Sequence, residues 1–313
     1  MRAMILAAGL GTRMAPLSEW RPKPALPVRG VPLVGYLLEL LRVNGVTEVI
    51  LNVHHGAEVV REAAERCCPA GIALSFSEER QLLGTGGGIL RAAPFLRESE
   101  TSLVVSGDMV LDTDLKSLIA THREREDAAT LLLRADKRSK EFGPVGLDDD
   151  NSVRQIGNDF DLGGSTSLGL FTSVRVFASR AYDSLDALGM APDAAFEDLR
   201  DWLAPQLERG VRDIRGVLRA AEELRWEPVG TLREYVDANF SNPSLSYASA
   251  CEAFAGQTRI ENDCVIGDGA RIAPDARLSH SIVWDGEHVG AAVRGHDGVF
   301  ANGAFHVAAS TPR

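Results

Sequence analysis

The N-terminal run constrains this chain more than any other stretch. An apolar strand candidate, Ala3–Leu6, passes directly into Ala7-Ala8-Gly9-Leu10-Gly11-Thr12-Arg13. A turn built from alanine and glycine lets backbone N–H groups come close to phosphate oxygens with no side chain in the way. Arg13 then offers a fork of donors for charged oxygens. Lys23, within Arg21-Pro22-Lys23-Pro24, adds a compact positive charge.

Such a turn needs a sheet to carry it, and the first half of the chain alternates strand-like and helix-like segments, the pattern of an α/β domain. Leu33, Tyr36, Leu37, Leu40 and Leu41 form an apolar face at helical spacing before Asn44-Gly45 stops it. Val49–Val53 reads as a buried strand, Ala57–Arg66 as a helix, and Ile72, Leu74 and Phe76 as a third strand. Ser102–Ser106 is a further apolar strand that runs into Gly107-Asp108. A helix from about 114 to 126, with Asp112 and Asp114 at its start where carboxylates suit the positive N-terminal end, and a strand at Ala129–Leu133 follow. Asp148–Ser152 and Gly157–Thr166 read as loops, with Asp148-Asp149-Asp150 a solvated tip. Ser167–Phe171 reads as a strand, Glu197–Arg209 as an amphipathic helix, and Trp226–Thr231 with the helix Leu232–Phe240 closes the main domain.

Beyond Asn242-Pro243 the texture changes. Ile260, Ile266, Ile272 and Leu278 recur every six residues with small residues between them. That period fits neither a helix nor plain strand alternation, but it fits the coils of a parallel β-helix with one aliphatic side chain per edge turned inward. The expected architecture is therefore a three-layer α/β core with a mostly parallel sheet over 1–242, and a short left-handed β-helix over 243–313 that leans on the core or on another subunit. Its open ends suggest a homo-oligomer.

Other properties narrow the function. Among 313 residues the formal net charge is -11, so no global basic field draws in nucleic acid. No apolar run has the length of a signal peptide or membrane span, and a cytoplasmic location is expected. Cys67, Cys68, Cys251 and Cys264 match neither zinc nor disulfide spacing and read as buried free thiols. His54-His55 reads as packing or capping, since two histidines alone make no metal centre. Gly9 and Gly11 begin the dinucleotide-binding pattern, but Met14 replaces its third glycine and no acidic residue follows about twenty positions on. The phosphate-binding GxxxxGK[ST] loop is absent.

The segments Leu6–Arg13 and Pro22–Pro24 together resemble the signature of the sugar nucleotidylyltransferases, a family with a Rossmann-like core. Three more matches follow in order: Leu83-Gly84-Thr85-Gly86-Gly87-Gly88-Ile89, Ser106-Gly107-Asp108 and Ser281-Ile282-Val283-Trp284-Asp285-Gly286. The resemblance implies transfer of a nucleotidyl group from a nucleoside triphosphate, GTP or UTP, to a sugar 1-phosphate, with release of pyrophosphate. It implies nucleotide contacts from Leu6, Ala7, Ala8, Gly9, Gly11, Thr12, Arg13, Thr85, Gly86 and Gly87, the last three in a loop that grips the base through its backbone. Arg13 would stabilise the departing phosphates and Lys23 would hold the α-phosphate and the incoming sugar phosphate. Gly143, Glu197 and Asp198 would bind the sugar, and Asp108 would ligate Mg²⁺, a hard ion suited to a carboxylate plus phosphate oxygens. The Thr85–Gly88 run looks closest to members acting on mannose, heptose or N-acetylmuramate 1-phosphates, with a lean towards GTP and mannose 1-phosphate.

Two departures stand out. The family's W-x-D-x-G-T carries a second metal-binding aspartate, where this chain reads Trp226-Glu227-Pro228-Val229-Gly230-Thr231. Proline cannot ligate, and Glu227 points to the other face of a strand. The E-K-P segment of many relatives is also missing, with Gly157-Asn158-Asp159-Phe160 in that region. A non-catalytic homologue that binds a nucleotide or nucleotide sugar is the second expectation.

Overall fold

The computed structural model describes residues 1–139, 143–241 and 244–308. The Arg2–Leu6 strand lies at the centre of the main sheet, between Glu48–Val53 and Thr101–Ser106, and both neighbours run parallel to it. Ala73–Glu78 extends the parallel part beyond Glu48–Val53. On the other side, Ser167–Ala178 pairs antiparallel with Thr101–Ser106 and continues into Pro144–Leu147, Val153–Ile156 and Phe160–Asp161. The parallel strands carry β-branched and aliphatic residues on both faces because helices cover both. Ala3 and Ile5 face a core shared with Leu33, Leu37 and Leu41, while Met4 faces a second core with Ile89, Leu96 and Phe177. Those two cores make the domain three layers deep.

Local pattern sets most helices. Ala57–Arg66 and Leu232–Phe240 span the residues that their periodicity predicts. Thr231 caps the second by accepting a hydrogen bond from the Glu234 N–H, and Asp114 caps Leu115–Glu124 by accepting one from the Ser117 N–H. Asp112 corrects the reading of a helix start. It ends the strand Met109–Asp112, and its carboxylate accepts from the Ser246 hydroxyl at 2.7 Å. The predicted 197–209 helix is two pieces, a wide π turn over Asp198–Leu203 and an α-helical Ala204–Glu208, with Pro205 tolerated in the first turn of the latter. Ser167–Phe171 extends to Ala178, with an irregularity in its pairing between Phe171 and Arg175. Cys67, Cys251 and Cys264 are buried free thiols and Cys68 is half-buried. No helix among the described residues is long and apolar enough to cross a membrane.

The expected boundary at Asn242-Pro243 lies outside the described residues, as do 309–313. Past it, Cys264–Ile266, Arg277–Val283 and Arg294–Ala301 stack in parallel, with Cys264, Ser281 and Gly298 in register at steps of 17 residues. Ile266, Val283 and Phe300 form one buried column and Val265, Ile282 and Val299 another. The second column joins the core of the main domain, so the stack leans on it. Ile260 is a correction. It is 56% exposed, because Arg259–Glu261 folds back antiparallel on Cys264–Ile266 at the end of the stack.

Candidate active site

The Arg2–Leu6 strand ends at a cavity of about 460 Å³. Leu6, Ala7, Ala8, Gly9 and Gly11 line one wall, Lys23 and Asp108 the floor, and Thr85, Phe196 and Glu197 the far side. Among the described residues nothing accepts a hydrogen bond from the N–H groups of Ala8, Gly9 or Gly11. No atom stands within 4 Å of where a Cβ on Gly9 would sit. The turn is thus an open row of donors at a strand end. Lys23 is 9% exposed. Its Nζ lies 3.0 Å from Asp108 Oδ2, and the other carboxylate oxygen accepts from the Ser106 hydroxyl at 3.0 Å.

Asp108 also borders a second cleft of about 340 Å³. Arg13, Gly143, Trp226, Pro228, Gly230 and Glu234 line it. Arg13 lines this cleft and not the first cavity, with Nη2 3.1 Å from where a Cβ on Gly230 would sit. Thr12 lines neither space and opens the short helical turn Thr12–Met14. Glu227 faces away from this cleft and pairs with Arg225 at 3.6 Å, as strand alternation requires. Arg138 lies 5.4 Å over the Trp226 ring. Its guanidinium, hydrogen-bonded to Asp136, holds that carboxyl down at about 2.

The expected contacts of Gly86 and Gly87 are corrected. Leu83–Ile89 is the start of the helix Gly84–Leu96, not a loop. The N–H groups of Gly86 and Gly87 both donate to the Phe196 carbonyl, at 2.9 and 3.3 Å, so they are spent within the protein. A Cβ on Gly86 would lie 2.3 Å from the Phe196 ring, and one on Gly87 2.4 Å from the Ala194 carbonyl oxygen. These glycines let a helix start pack against 194–198; they do not face the cavity. Asp198 is 1% exposed, and Arg175 Nη2 donates to its Oδ1 at 2.9 Å while Nε donates to Oδ2. A carboxylate so occupied is a buried ion-pair partner, and with Thr85 and Glu197 it borders a further cavity of about 510 Å³. Glu197 keeps its place on the cavity wall and accepts from the Thr85 hydroxyl at 2.7 Å.

Asn52 and Glu79 are among the residues of the site that escaped the sequence reading. Asn52 Oδ1 accepts from the Ala7 N–H at 2.8 Å, and its Nδ2 donates to Glu79 Oε1 at 2.7 Å. Glu79, also buried, accepts from the Leu83 N–H at 3.1 Å. This pair ties the Ala7 turn to the Gly84 helix start. A polar side chain inside the apolar run 49–53 was the available signal for Asn52; Glu79 had none. His54 Nδ1 meets the Glu79 carbonyl at 2.8 Å, consistent with packing.

For a divalent cation, the residues beside Lys23 offer one carboxylate, Asp108, while Glu79 and Glu197 stand elsewhere on the cavity lining. Among the described residues no group of three or more His, Cys, Asp or Glu side chains could hold a metal. Asp108 nevertheless fits Mg²⁺, which binds through one or two carboxylates and takes its remaining ligands from phosphate and water.

Residues 2–242 match the family described as nucleotidyl transferase. The chain is 27% identical over 252 residues to a UTP–glucose-1-phosphate uridylyltransferase of Synechocystis, covering 76% of this chain and 62% of that protein. It is 26% identical over 300 residues to the mannose-1-phosphate guanylyltransferase of Mycobacterium tuberculosis, covering 92% of this chain and 80% of that one. Identity to the N-acetylmuramate alpha-1-phosphate uridylyltransferase of Neisseria meningitidis is 32% over 235 residues, covering 74% and 94%. This chain thus spans less than two thirds of the first of these relatives and most of the other two. The solved structure of HddC from Yersinia pseudotuberculosis complexed with GMP-PN has the same fold, with a TM-score of 0.62 at 22% identity over 77% of this chain and 99% of that one.

Proposed function

The chain belongs to the nucleotidyl transferase family, and from that premise we propose that it moves a nucleoside monophosphate group from a nucleoside triphosphate to a sugar 1-phosphate. An oxygen of the sugar phosphate attacks the α-phosphorus. The bond from that phosphorus to the α,β-bridging oxygen breaks, and pyrophosphate leaves with the electron pair. The observation that carries this reading is the meeting of two spaces at Asp108, with Lys23 beside it. The first space suits the nucleotide, whose phosphates would lie along the free N–H groups of Ala8, Gly9 and Gly11. The second suits the sugar, with Gly143 on its wall.

Such a displacement needs alignment and charge neutralisation more than covalent help. Lys23 would neutralise the α-phosphate, and its contact with Asp108 keeps the ammonium in place. Arg13 would meet phosphate oxygens from the second cleft. Mg²⁺, held by Asp108 with phosphate oxygens and water, would neutralise further charge when bound. We read GTP and mannose 1-phosphate as the substrates, supported by the guanylyltransferase relative that covers most of this chain. We also read 264–301 as a short left-handed β-helix, supported by the parallel register at steps of 17 residues.

The test is pyrophosphate release with Mg²⁺ across a matrix of nucleoside triphosphates and sugar 1-phosphates. GTP with mannose 1-phosphate should turn over fastest, and Lys23→Ala should lower turnover by about 10²–10³. Faster turnover with another pair would correct the substrates and keep the reaction. Pro228 favours a second reading, a protein that binds a nucleotide sugar without transferring it. Silence across the matrix with calorimetric nucleotide binding intact, unrelieved in Pro228→Asp, would sink the transferase and leave that one.

A further inference from the structure

Lys23 sits in a stiff segment. Pro22 and Pro24 lock the backbone on either side of it, and the Ala25 and Leu26 N–H groups close a single turn onto Pro22 and Lys23 at 2.8 and 3.0 Å. A Cβ on Gly56 would lie 2.5 Å from Pro22 Cγ, so that ring is packed as well. A shift of Arg21 is therefore passed on to Lys23.

Arg21 is gripped from far away in sequence. Its Nη1 and Nη2 donate to both oxygens of Asp285, at 2.6 and 2.9 Å, and its guanidinium lies 4.5 Å over the Trp284 ring. Burial pushes the Asp285 carboxyl up, but the hydrogen bond and charge of Arg21 outweigh it and hold it below its ordinary value. Trp284 Nε1 donates to the Tyr235 hydroxyl at 3.1 Å, and that hydroxyl donates to the Pro27 carbonyl at 2.7 Å. Both ends of 21–27 thus hang on Trp284-Asp285, the corner after the Arg277–Val283 strand of the C-terminal stack. The Arg21 and Asp285 side chains are 26% and 49% exposed. At that exposure an ion pair adds little to stability. What a two-pronged, ring-stacked arginine supplies is direction.

We propose that Arg21 is a positioning residue for Lys23 and that the C-terminal stack, through Asp285 and Trp284, holds the lysine at its working place on the cavity floor. The kinetic part rests on the transfer reading above. A catalytic group must stay within about half an ångström of its place, and a misplacement of about 1 Å can cost about 10²-fold in rate.

Asp285→Asn in the full chain tests this, with Arg21→Gln as the matching change from the other side. Each should lower kcat about tenfold and leave the nucleotide KM within about twofold and the melting temperature within about 2 °C. In a Lys23→Ala background, Asp285→Asn should remove no further activity, because its effect passes through the lysine. Independently of turnover, the rate at which an amine-acylating reagent modifies Lys23, read by peptide mass spectrometry, should rise at least about threefold in both variants, with exposed Lys116 as internal reference. Unchanged Lys23 labelling in both folded variants would overturn the proposal, as would a full kcat loss that persists without Lys23. A parent protein with no turnover would defeat the transfer reading alone, and labelling would still decide the positioning.

Discussion

The turn at 8–11 and the helix start at 84–87 border one cavity and are both rich in glycine, yet glycine serves opposite purposes in them. At Gly9 it leaves space: no protein atom comes within 4 Å of a would-be Cβ, and among the described residues the Ala8, Gly9 and Gly11 N–H groups have no acceptor. At Gly86 and Gly87 it closes space: the Phe196 ring and the Ala194 carbonyl sit where side chains would be, and Phe196 takes both N–H groups. Glycine richness reports that something approaches the backbone closely. Whether the visitor is a ligand or another part of the same chain is a matter of tertiary packing.

The largest expected effects separate these two roles. Gly9→Ala should leave the melting temperature unchanged and lower turnover about hundredfold, since it crowds the phosphate approach. Gly86→Ala should instead destabilise the fold by about 1–3 kcal/mol through overpacking against Phe196. Thermal melts and pyrophosphate release on both variants would invert the comparison if Gly86→Ala melts like the parent and Gly9→Ala does not. An intermediate effect is expected where the two regions are tied together. Asn52→Ala leaves the buried Glu79 carboxylate and the Ala7 N–H short of partners, which should cost about 1–3 kcal/mol in a denaturant titration and weaken nucleotide binding as well. Lost stability with unaltered binding would show that the tie does not set the cavity's shape.

The smallest effect lies remote from both turns and calibrates them. Asp297 of the C-terminal stack hydrogen-bonds Arg233 and His280, and chiefly the Arg233 contact holds its carboxyl at about 2. Its folded-state value lies below that of an unfolded carboxylate, about 3.9, so the folded protein favours the charged form. The stability this contributes is present above about pH 4 and fades as pH falls towards 2. Asp297→Asn should flatten that part of the melting-temperature profile, removing less than about 2 kcal/mol of stability near neutrality and changing nothing near pH 2. An equally steep acid slope in the variant would assign it to other carboxylates.

Much of the fold was legible because its signals are local. The Ala57–Arg66 and Leu232–Phe240 helices follow from apolar spacing and caps within a few residues, and the parallel strands from apolar runs bounded by turns. Lys23, Asp108 and Gly9 were legible for a related reason: each sits in a short motif whose backbone shape comes from adjacent proline, glycine or a strand end, and all three line one cavity.

What only the tertiary structure decided depends on partners distant in sequence. Asp198 reads as an available carboxylate until Arg175 closes on it from the Ser167–Ala178 strand. Arg13 reads as part of the Gly9 cradle, but its long side chain lies beside Gly230 on the second cleft. Asp112 reads as a helix start until Ser246 arrives across the fold, and Ile260 reads as core until it proves to be at the end of its stack. Backbone conformation answers to neighbours along the chain, and the sequence determined it. The occupancy of a donor, an acceptor or a face answers to whatever packs there, and that was decided only when the chain closed on itself.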